Sequence, residues 1–288
     1  MRTISVGHSP DADDIFMYYA IKFGWVSLPK VKFENIALDI ETLNQATLKG
    51  IYDICAISFA LYPFVKDDFA LLKTAVSFGE GYGPKLIKKK GTKLKRNFKV
   101  ALSGEFTTNA LLFKIAYPDA RISYMNFLDI ENAVINGDVD AGVLIHESIL
   151  TYSSVLEVER EIWDIWVELC EGEALPLPLG GMCLRRSIPL HEAIKYENAL
   201  IKAVDVANKN RKTLAPMLLE KGLIRVDAVT LDKYLDLYAN DNSVKMSEIQ
   251  HKALNKLFEL GYKSGHYQNL IKAEDFLIPS EYEELRAR

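Results

Sequence analysis

The chain has 288 residues, which is enough for two domains of ordinary size or for one large domain. Its content of 49% hydrophobic and 26% charged residues is typical of a soluble globular protein and excludes a disordered or fibrous one. A net charge of -4 gives no electrostatic basis for binding nucleic acid, which needs a basic face. The basic run at residues 85–96 also contains Gly and Thr, which predicts a solvated hairpin or crossover instead of a phosphate groove.

Patterns that would indicate export, a membrane span or a metal site are missing from the sequence. The first residues lead directly into a predicted strand, without the apolar region and cleavage site of a signal peptide. No stretch approaches the ~20 apolar residues of a membrane span. The cysteines have no metal-ligand spacing and suit a reducing compartment: Cys55, Cys170 and Cys183. We therefore expect a cytoplasmic protein without metal or other cofactor, and the sequence leaves its oligomeric state open.

The first part of the chain alternates apolar strands with short helices. Strands are predicted at residues 4–6, 31–38, 52–57 and 69–76, and helices at residues 14–23 and 41–49. Asp39 or Thr42 is expected to begin the second of these helices. The βαβαβ order predicts a largely parallel sheet with right-handed crossovers.

A second α/β unit is predicted after the Gly-rich stretch at residues 79–84, which is the best candidate for a domain boundary. Its strands are predicted at residues 85–88, 99–102 and 121–125, and its helices at residues 110–115, 130–135 and 159–169. The prolines and glycines of residues 173–182 predict an extended strand that returns the chain to the first unit.

The chain after Pro189 has a helical pattern throughout. Helices are predicted at about residues 190–210, 212–221, 227–239 and 247–262, with Asp227 and Ser247 as N-caps. We therefore predict an α/β protein of two domains with a ligand cleft between them. The larger domain is expected to comprise residues 1–84 plus 187–288, and the smaller one residues 85–186.

The clearest candidate for a catalytic group lies at residues 139–148. An apolar run after Gly142 ends in His146, which predicts a buried strand that carries an imidazole at its carboxyl end. Ligands of open α/β sheets bind just beyond that end, and His is the natural acid or base near neutral pH. Position alone leaves a core or rim histidine equally open. Asp140 and Glu147 are interpreted as turn and helix-start residues.

Polar residues at predicted helix starts form a second set of candidates. Such starts occur after Ser9, after Ser58 and at Thr107, and the free backbone amides of a helix start suit an anion such as a carboxylate. Near Ser9, carboxylates would repel an anion unless they cap the helix, and capping is the role expected for Asp11 and Asp13.

The start near Thr107 carries more hydrogen-bonding capacity than a cap requires. Thr107 or Thr108 can serve as the N-cap, and the other threonine and Asn109 remain. We therefore expect Thr107, Thr108 and Asn109 to contact a ligand.

Five segments, in order along the chain, resemble one enzyme family. They are Gly7–Pro10 leading into Asp14–Phe16, and residues 53–58, 106–109, 142–147 and 175–181. On these segments the chain resembles the 1,4-dihydroxy-6-naphthoate synthases of the futalosine route to menaquinone, which have a type II periplasmic-binding-protein fold. The resemblance implies a carbon–carbon lyase that splits cyclic dehypoxanthinylfutalosine into the dihydroxynaphthoate and a ribose-derived fragment.

The same resemblance implies roles for individual residues. His146 falls on the family's catalytic base, and substrate contacts fall on Ala56, Ile57 and Ser58 and on Thr107 and Thr108. Abstraction of a proton beside a ketone needs one base and hydrogen-bond donors for the enolate. The helix start at Thr107 and the Ser58 amide are expected to supply these donors.

One segment departs from the family. Its first loop more often reads Ser-Pro-Cys-Pro-Asn-Asp, whereas this chain has Asp at positions 11, 13 and 14. We therefore assign no catalytic role to Asp11 or Asp13.

Three other functions are compatible with such a fold. A solute-binding protein would need no histidine at a strand end and would normally carry an export signal. The sister chorismate dehydratase would not be expected to show the patterns at residues 142–147 and 175–181. The effector domain of a transcriptional regulator would need a DNA-binding segment, which does not precede the α/β units.

Overall fold

The computed structural model describes residues 1–224, 226–239 and 241–280. Eleven strands occur in this part of the chain: β1 (Arg2–His8), β2 (Val31–Ala37), β3 (Ile54–Ser58), β4 (Phe69–Leu71), β5 (Ser77–Gly79), β6 (Lys85–Lys89), β7 (Lys99–Leu102), β8 (Arg121–Tyr124), β9 (Ala141–Leu144), β10 (Leu156–Glu161) and β11 (Leu177–Arg185). They form two sheets, with strand order β2-β1-β3-β11-β4 in the first, where β5 also pairs with β11, and β10-β6-β9-β7-β8 in the second.

Helices cover both sheets. They are α1 (Ala12–Lys22), α2 (Ile40–Leu48), α3 (Tyr62–Val65), α4 (Thr108–Ala116), α5 (Phe127–Asn136), α6 (Ile162–Leu169), α7 (Leu190–Lys209), α8 (Arg211–Glu220), α9 (Ala228–Tyr238), α10 (Asp241–Val244) and α11 (Glu248–Lys263). Helix α7 packs on α1, and α11 contacts β11, so the C-terminal helices belong to the side of the first sheet. No helix of the described residues is both long and apolar enough to cross a membrane.

The predicted α/β class is confirmed, but both sheets are mixed and not largely parallel. In the first sheet, β1 is parallel to β2 and β3, whereas β11 is antiparallel to β3, β4 and β5. Strand β11 enters from the second sheet without a crossover helix on the first, so nothing forces it to run parallel. In the second sheet, β7 is parallel to β8 and β9, and β6 is antiparallel to β9 and β10.

Two predicted elements are shorter than expected. The predicted strand at residues 69–76 ends at Leu71, because the chain beyond it turns to place Lys73 in a buried ion pair with Glu197, 3.2 Å apart. The predicted helix at residues 159–169 begins only at Ile162. The preceding residues form β10 against β6, where Lys88 contacts Glu157 and Glu159.

Strand β9 packs very closely on helix α5 at Gly142. A Cβ atom at this position would lie 2.4 Å from Cγ2 of Ile130 and 3.1 Å from Cγ2 of Val134. The strand is buried at every residue, and Gly142 lets the helix approach its backbone. This packing fixes the end of the strand that leads to His146.

The chain passes twice between the two sheets, once between β5 and β6 and once between α6 and β11. The first sheet therefore takes its strands from residues 2–79 and 177–185, and the second from residues 85–161. The division into domains at residues 84/85 and 186/187 stays a prediction.

Candidate active site

A cavity with about 790 Å³ of empty space, part of it open to solvent, lies where the two sheets face each other. Both sheets contribute to its lining. The residues predicted from the sequence all lie on this one cavity: Ala56, Ile57, Ser58, Thr107, Thr108, Asn109 and His146. The chain thus brings together two strand ends and one helix start that are far apart in sequence.

His146 lies at the far end of β9, where the sequence predicted it. Its backbone is in the left-handed region, with φ of 55°, which is uncommon for a residue other than Gly. This conformation turns the chain sharply out of the strand and into a short 3-10 turn, His146–Ile149. The ring meets that of Phe127 edge-on, with 5.0 Å between centroids and an interplanar angle of 74°. The imidazole is therefore held in one place at the rim of the cavity.

The carboxylate of Asp11 lies against this imidazole. Its Oδ2 atom is 2.8 Å from Nδ1 of His146, and it also accepts a hydrogen bond from the Ser9 hydroxyl. Asp11 is only 1% exposed. It occupies the N-cap position of α1, yet its side chain makes no capping hydrogen bond. The expectation that Asp11 caps the helix is wrong, because its carboxylate turns towards His146; the side chain of Asp13 lies outside the described part of the structure.

Asp14 is a second carboxyl group beside this pair. Its Oδ2 atom accepts a hydrogen bond of 2.7 Å from the Ser9 N–H group. The pKa of Asp14 is raised to about 7, mainly because the carboxyl group is removed from water; the Ser9 N–H group and His146 oppose this shift, and the negative charge of Asp11 adds to it. This carboxyl group is therefore partly neutral near neutral pH. No role was predicted for Asp14 from its sequence position.

His8 is the other histidine near this loop, and its surroundings differ. Its Nδ1 atom is 2.7 Å from the Ser9 carbonyl oxygen, and its ring stacks on Tyr18 at 5.0 Å between centroids. Burial lowers the pKa of His8, and the residue is absent from the lining of the cavity. His8 is thus a packed core histidine, whereas His146 lines the cavity.

The start of α4 forms the opposite wall. Thr107 is the N-cap, and its hydroxyl accepts a hydrogen bond of 3.3 Å from the Ala110 N–H group. The Thr108 hydroxyl donates to the Leu179 carbonyl at 3.0 Å and accepts from the Ala60 N–H group at 3.3 Å. Both hydroxyls are thus engaged within the protein. Among the hydrogen bonds of the described residues, the N–H groups of Thr108 and Asn109 have no acceptor, as expected in a first helical turn.

The Ser58 N–H group, which was predicted to contact the substrate, is engaged within the protein, whereas the Ser103 hydroxyl, for which no role was predicted, is available to a ligand. The Ser58 N–H group, expected to be a donor for the substrate, donates instead to Oδ1 of Asn44 at 3.0 Å. Its hydroxyl accepts from Nδ2 of the same Asn44 at 3.2 Å. The Ser103 hydroxyl is buried on the cavity wall and has no hydrogen-bond partner among the described residues. Sequence reasoning missed Ser103, although it directly follows a correctly predicted strand, as His146 nearly does.

The charge of the cavity is uneven. Among the described residues that line it, none is Lys or Arg, whereas Asp11 and Asp14 both lie on one side. No group of three His, Cys, Asp or Glu residues that could hold a metal ion occurs in the described part of the chain. An anionic ligand in this cavity would therefore be bound by neutral donors such as the first-turn N–H groups of α4.

Comparison with known proteins assigns the family. A family model described as menaquinone biosynthesis matches residues 4–263. The chain belongs to the menaquinone biosynthesis family. The 1,4-dihydroxy-6-naphthoate synthase of Streptomyces coelicolor is 29% identical over 262 residues, covering 88% of this chain and 91% of that protein. The enzyme of the same name from Thermus thermophilus is 30% identical over 268 residues, covering 90% and 93%. These named synthases imply that the family member described here is an enzyme.

Solved structures agree with the fold expected for this family. Protein AF1704 from Archaeoglobus fulgidus is 33% identical, with a TM-score of 0.84 over 92% of this chain and 98% of that one. The periplasmic aliphatic sulphonate binding protein SsuA from Escherichia coli is 12% identical, with a TM-score of 0.67 over 96% and 98%. The second likeness shows the fold alone. It confirms the predicted periplasmic-binding-protein-like architecture.

Proposed function

We propose that this protein is a carbon–carbon lyase that converts cyclic dehypoxanthinylfutalosine to 1,4-dihydroxy-6-naphthoate, with His146 as the general base. The observation that carries the proposal is the imidazole of His146, which lies on the cavity with its Nδ1 atom 2.8 Å from a buried carboxylate. A solute-binding site needs no such pair. The names of the two synthases give the product of those relatives, 1,4-dihydroxy-6-naphthoate, and the substrate proposed here is the one that the resemblance in sequence implies.

The chemistry requires one base and a place for negative charge. The base removes a proton from the carbon beside the substrate ketone, and the electron pair of the broken C–H bond moves onto the ketone oxygen as an enolate. The carbon–carbon bond to the ribose-derived fragment then breaks, and the imidazolium of His146 returns its proton as the naphthoate and the fragment are released. A positioned base contributes roughly 10²- to 10⁴-fold to such a step. The Ser103 hydroxyl, which is buried on the cavity wall and has no hydrogen-bond partner among the described residues, is the donor available to the developing oxyanion.

The lining of the cavity suits the remaining parts of this substrate. Its apolar residues can pack against a fused ring system, and they come from several elements: Met17, Ile40, Ile57, Ile145 and Leu179. The substrate carboxylate would be held by the start of α4, away from Asp11 and Asp14, since like charges repel.

The decisive experiment is incubation of the purified protein with cyclic dehypoxanthinylfutalosine, with product followed by chromatography. Wild-type protein should form the naphthoate, and His146→Ala should lower kcat by at least about 100-fold. His146→Gln preserves the size of the side chain without its basicity and should behave like the Ala variant. His191→Gln, at an exposed histidine that does not line the cavity, is the control and should keep its activity.

Other outcomes would favour the alternatives. Naphthoate formation at equal rates by wild type and His146→Ala would show that the assigned base is wrong. Ligand binding without any product would favour a solute-binding protein. Turnover of chorismate in place of cyclic dehypoxanthinylfutalosine would favour the sister dehydratase.

A further inference from the structure

In the loop after β1, the residue at the N-cap position of α1 contacts the other sheet instead of its own helix. Asp11 is the N-cap residue of α1, where Asp normally accepts a hydrogen bond from the first helical turn. Its carboxylate makes no such bond and instead lies beside Nδ1 of His146, 2.8 Å away. A carboxylate that is 1% exposed needs compensating donors, because burial of an unpaired charge is unfavourable. The Ser9 hydroxyl and the imidazole of His146 are therefore needed as donors to stabilise the buried Asp11 carboxylate.

We propose that Asp11 is a positioning residue, which fixes the tautomer and the orientation of His146 by accepting a hydrogen bond from its Nδ1–H group. This inference rests on the proposed role of His146 as the base. A neutral imidazole carries one ring proton, so a proton held at Nδ1 leaves the lone pair on Nε2. The substrate proton then goes to Nε2, and the imidazolium that forms is stabilised by the Asp11 carboxylate.

The pair joins the two sheets across the cavity. Asp11 follows β1 of the first sheet, and His146 follows β9 of the second. Further hydrogen bonds join the same sides: the Thr108 hydroxyl accepts from the Ala60 N–H group at 3.3 Å and donates to the Leu179 carbonyl at 3.0 Å, and the Phe106 N–H group donates to Glu41 at 3.3 Å. Because the pair spans the cleft, opening of the cleft would separate Asp11 from the ring. The Asp11 carboxylate therefore contacts the imidazole of His146 only while the two sides are together.

Other ionisable groups surround the imidazole and must be considered in any titration. Asp14 faces it from the start of α1, and its charge interacts with His146. Glu147 is its buried neighbour in the chain, and Tyr234 of α9 lines the same cavity. The contact of 2.8 Å to Nδ1 distinguishes Asp11 from these groups.

Nuclear magnetic resonance of the ring nitrogens tests the inference without any substrate. Protein labelled with ¹⁵N-histidine gives correlation patterns that distinguish an Nδ1–H from an Nε2–H ring, and His146→Gln identifies the signals of His146. Wild-type protein should show the Nδ1–H tautomer. Asp11→Asn and Asp11→Ala should lower the share of this tautomer and lower the pKa of the ring, because the neighbouring negative charge is gone. Asp67→Asn, at a residue whose side chain is 83% exposed, is the matched control and should change neither.

Kinetics supply the second readout. Asp11→Asn should lower kcat at least about tenfold with little change in KM, as expected when a base is held in the wrong tautomer. The acidic limb of the kcat/KM profile should move to lower pH, since a base of lower pKa stays unprotonated there. A merely structural role for Asp11 would lower the amount of folded protein but would move neither the tautomer nor this limb.

The results that would overturn the inference are distinct from failure of the proposed function. An Nε2–H ring in wild-type protein would overturn it, and that measurement needs no variant. An unchanged tautomer and ring pKa in both Asp11 variants would do the same. If wild-type protein shows the Nδ1–H ring and responds to Asp11 but does not turn over the substrate, the positioning contact stands and the proposed reaction fails.

Discussion

Two loops face each other across the cavity, residues 9–14 after β1 and residues 103–109 after β7. Both join a strand to a helix, yet their chemistry is opposite. The first, the acidic wall, presents the carboxyl groups of Asp11 and Asp14. The second, the neutral wall, presents hydroxyl and N–H groups at the start of α4. In the proposed reaction the acidic wall serves proton transfer, and the neutral wall binds negative charge.

The two helix starts also differ in how they are capped. At the neutral wall, Thr107 caps its own helix, so the geometry of α4 depends on local contacts. At the acidic wall, the N-cap residue Asp11 contacts the opposite sheet instead. The start of α4 is held by its own contacts and is therefore preorganised for a ligand. The start of α1 depends on the contact of Asp11 with the opposite sheet, which is present only while the two sides are together.

The largest effect is expected at Thr108, whose hydroxyl links the neutral wall to the first sheet. Thr108→Val should destabilise the protein by about 2 kcal/mol, because it leaves the Ala60 N–H group and the Leu179 carbonyl without their partner. Thr108→Ser retains the hydroxyl and should cost less than about 1 kcal/mol. Urea unfolding measures both. Equal loss in the two variants would show that the methyl group matters and the hydroxyl does not.

The acidic wall should show the opposite response, a gain on neutralisation. Burial raises the pKa of Asp14 from 3.8 to about 7, so the unfolded chain releases this proton at lower pH than the folded protein. The stability contributed by the neutral carboxyl group is therefore lost as pH rises from about 4 to about 7. Asp14→Asn still offers an oxygen to the Ser9 N–H group.

This variant should match wild type near about pH 4 and exceed its stability by at least about 1 kcal/mol near about pH 8, since one pKa unit corresponds to about 1.4 kcal/mol. Unfolding midpoints in urea across this pH range are the measurement. Parallel pH profiles for the variant and wild type would show that Asp14 ionises normally. Asp67→Asn serves as the control for the exchange of a carboxylate for an amide.

A smaller effect is expected from the cap of the neutral wall. Thr107→Ala should cost about 1 kcal/mol, because the Ala110 N–H group loses its acceptor. Thr107→Ser should restore most of this stability. Thermal unfolding of the two variants is the measurement. If Thr107→Ala leaves the stability unchanged, α4 does not depend on its own cap, and the contrast between the two walls is wrong.

The smallest effect is expected at Glu41, which contacts the neutral wall from the first sheet. Its Oε2 atom accepts from the Phe106 N–H group, and burial raises its pKa. Glu41→Gln can keep the oxygen that accepts from Phe106, but it places an NH2 group against the Gln45 amide, which donates to Oε1 at 2.9 Å. Removal of the buried charge and loss of this hydrogen bond offset each other, so we expect a change below about 0.5 kcal/mol at neutral pH, measured by urea unfolding. A clear loss of stability would contradict this expectation and show that the hydrogen bonds to both oxygens outweigh the cost of burying the charge.

Elements with a strong local pattern were predicted well. The strand at residues 99–102 matches β7 in full, and Asp39, Asp227 and Ser247 are N-caps whose side chains accept from their helices. Short periodic stretches and capping side chains are fixed by neighbours in sequence, which is why they can be recognised there.

Elements that depend on distant partners were missed. Strand β10 has Glu at every second residue, and Glu157 and Glu159 pair with Lys88 of β6. Strand β4 ends early because the following Lys73 pairs with Glu197 of α7. The Ser58 N–H group was expected to donate to the substrate, yet it donates to the side chain of Asn44. In each case the partner lies on another element, so no local pattern reveals it.

The same division holds for the site. The amino-acid pattern was enough to predict that His146 follows a buried strand and that Thr107, Thr108 and Asn109 begin a helix, because strand and helix signals are local. The group that contacts the imidazole could be identified only from the packing of the two sheets. Asp11 looked like an ordinary helix cap in sequence, and packing of the first sheet against the second brings its carboxylate to Nδ1 of His146.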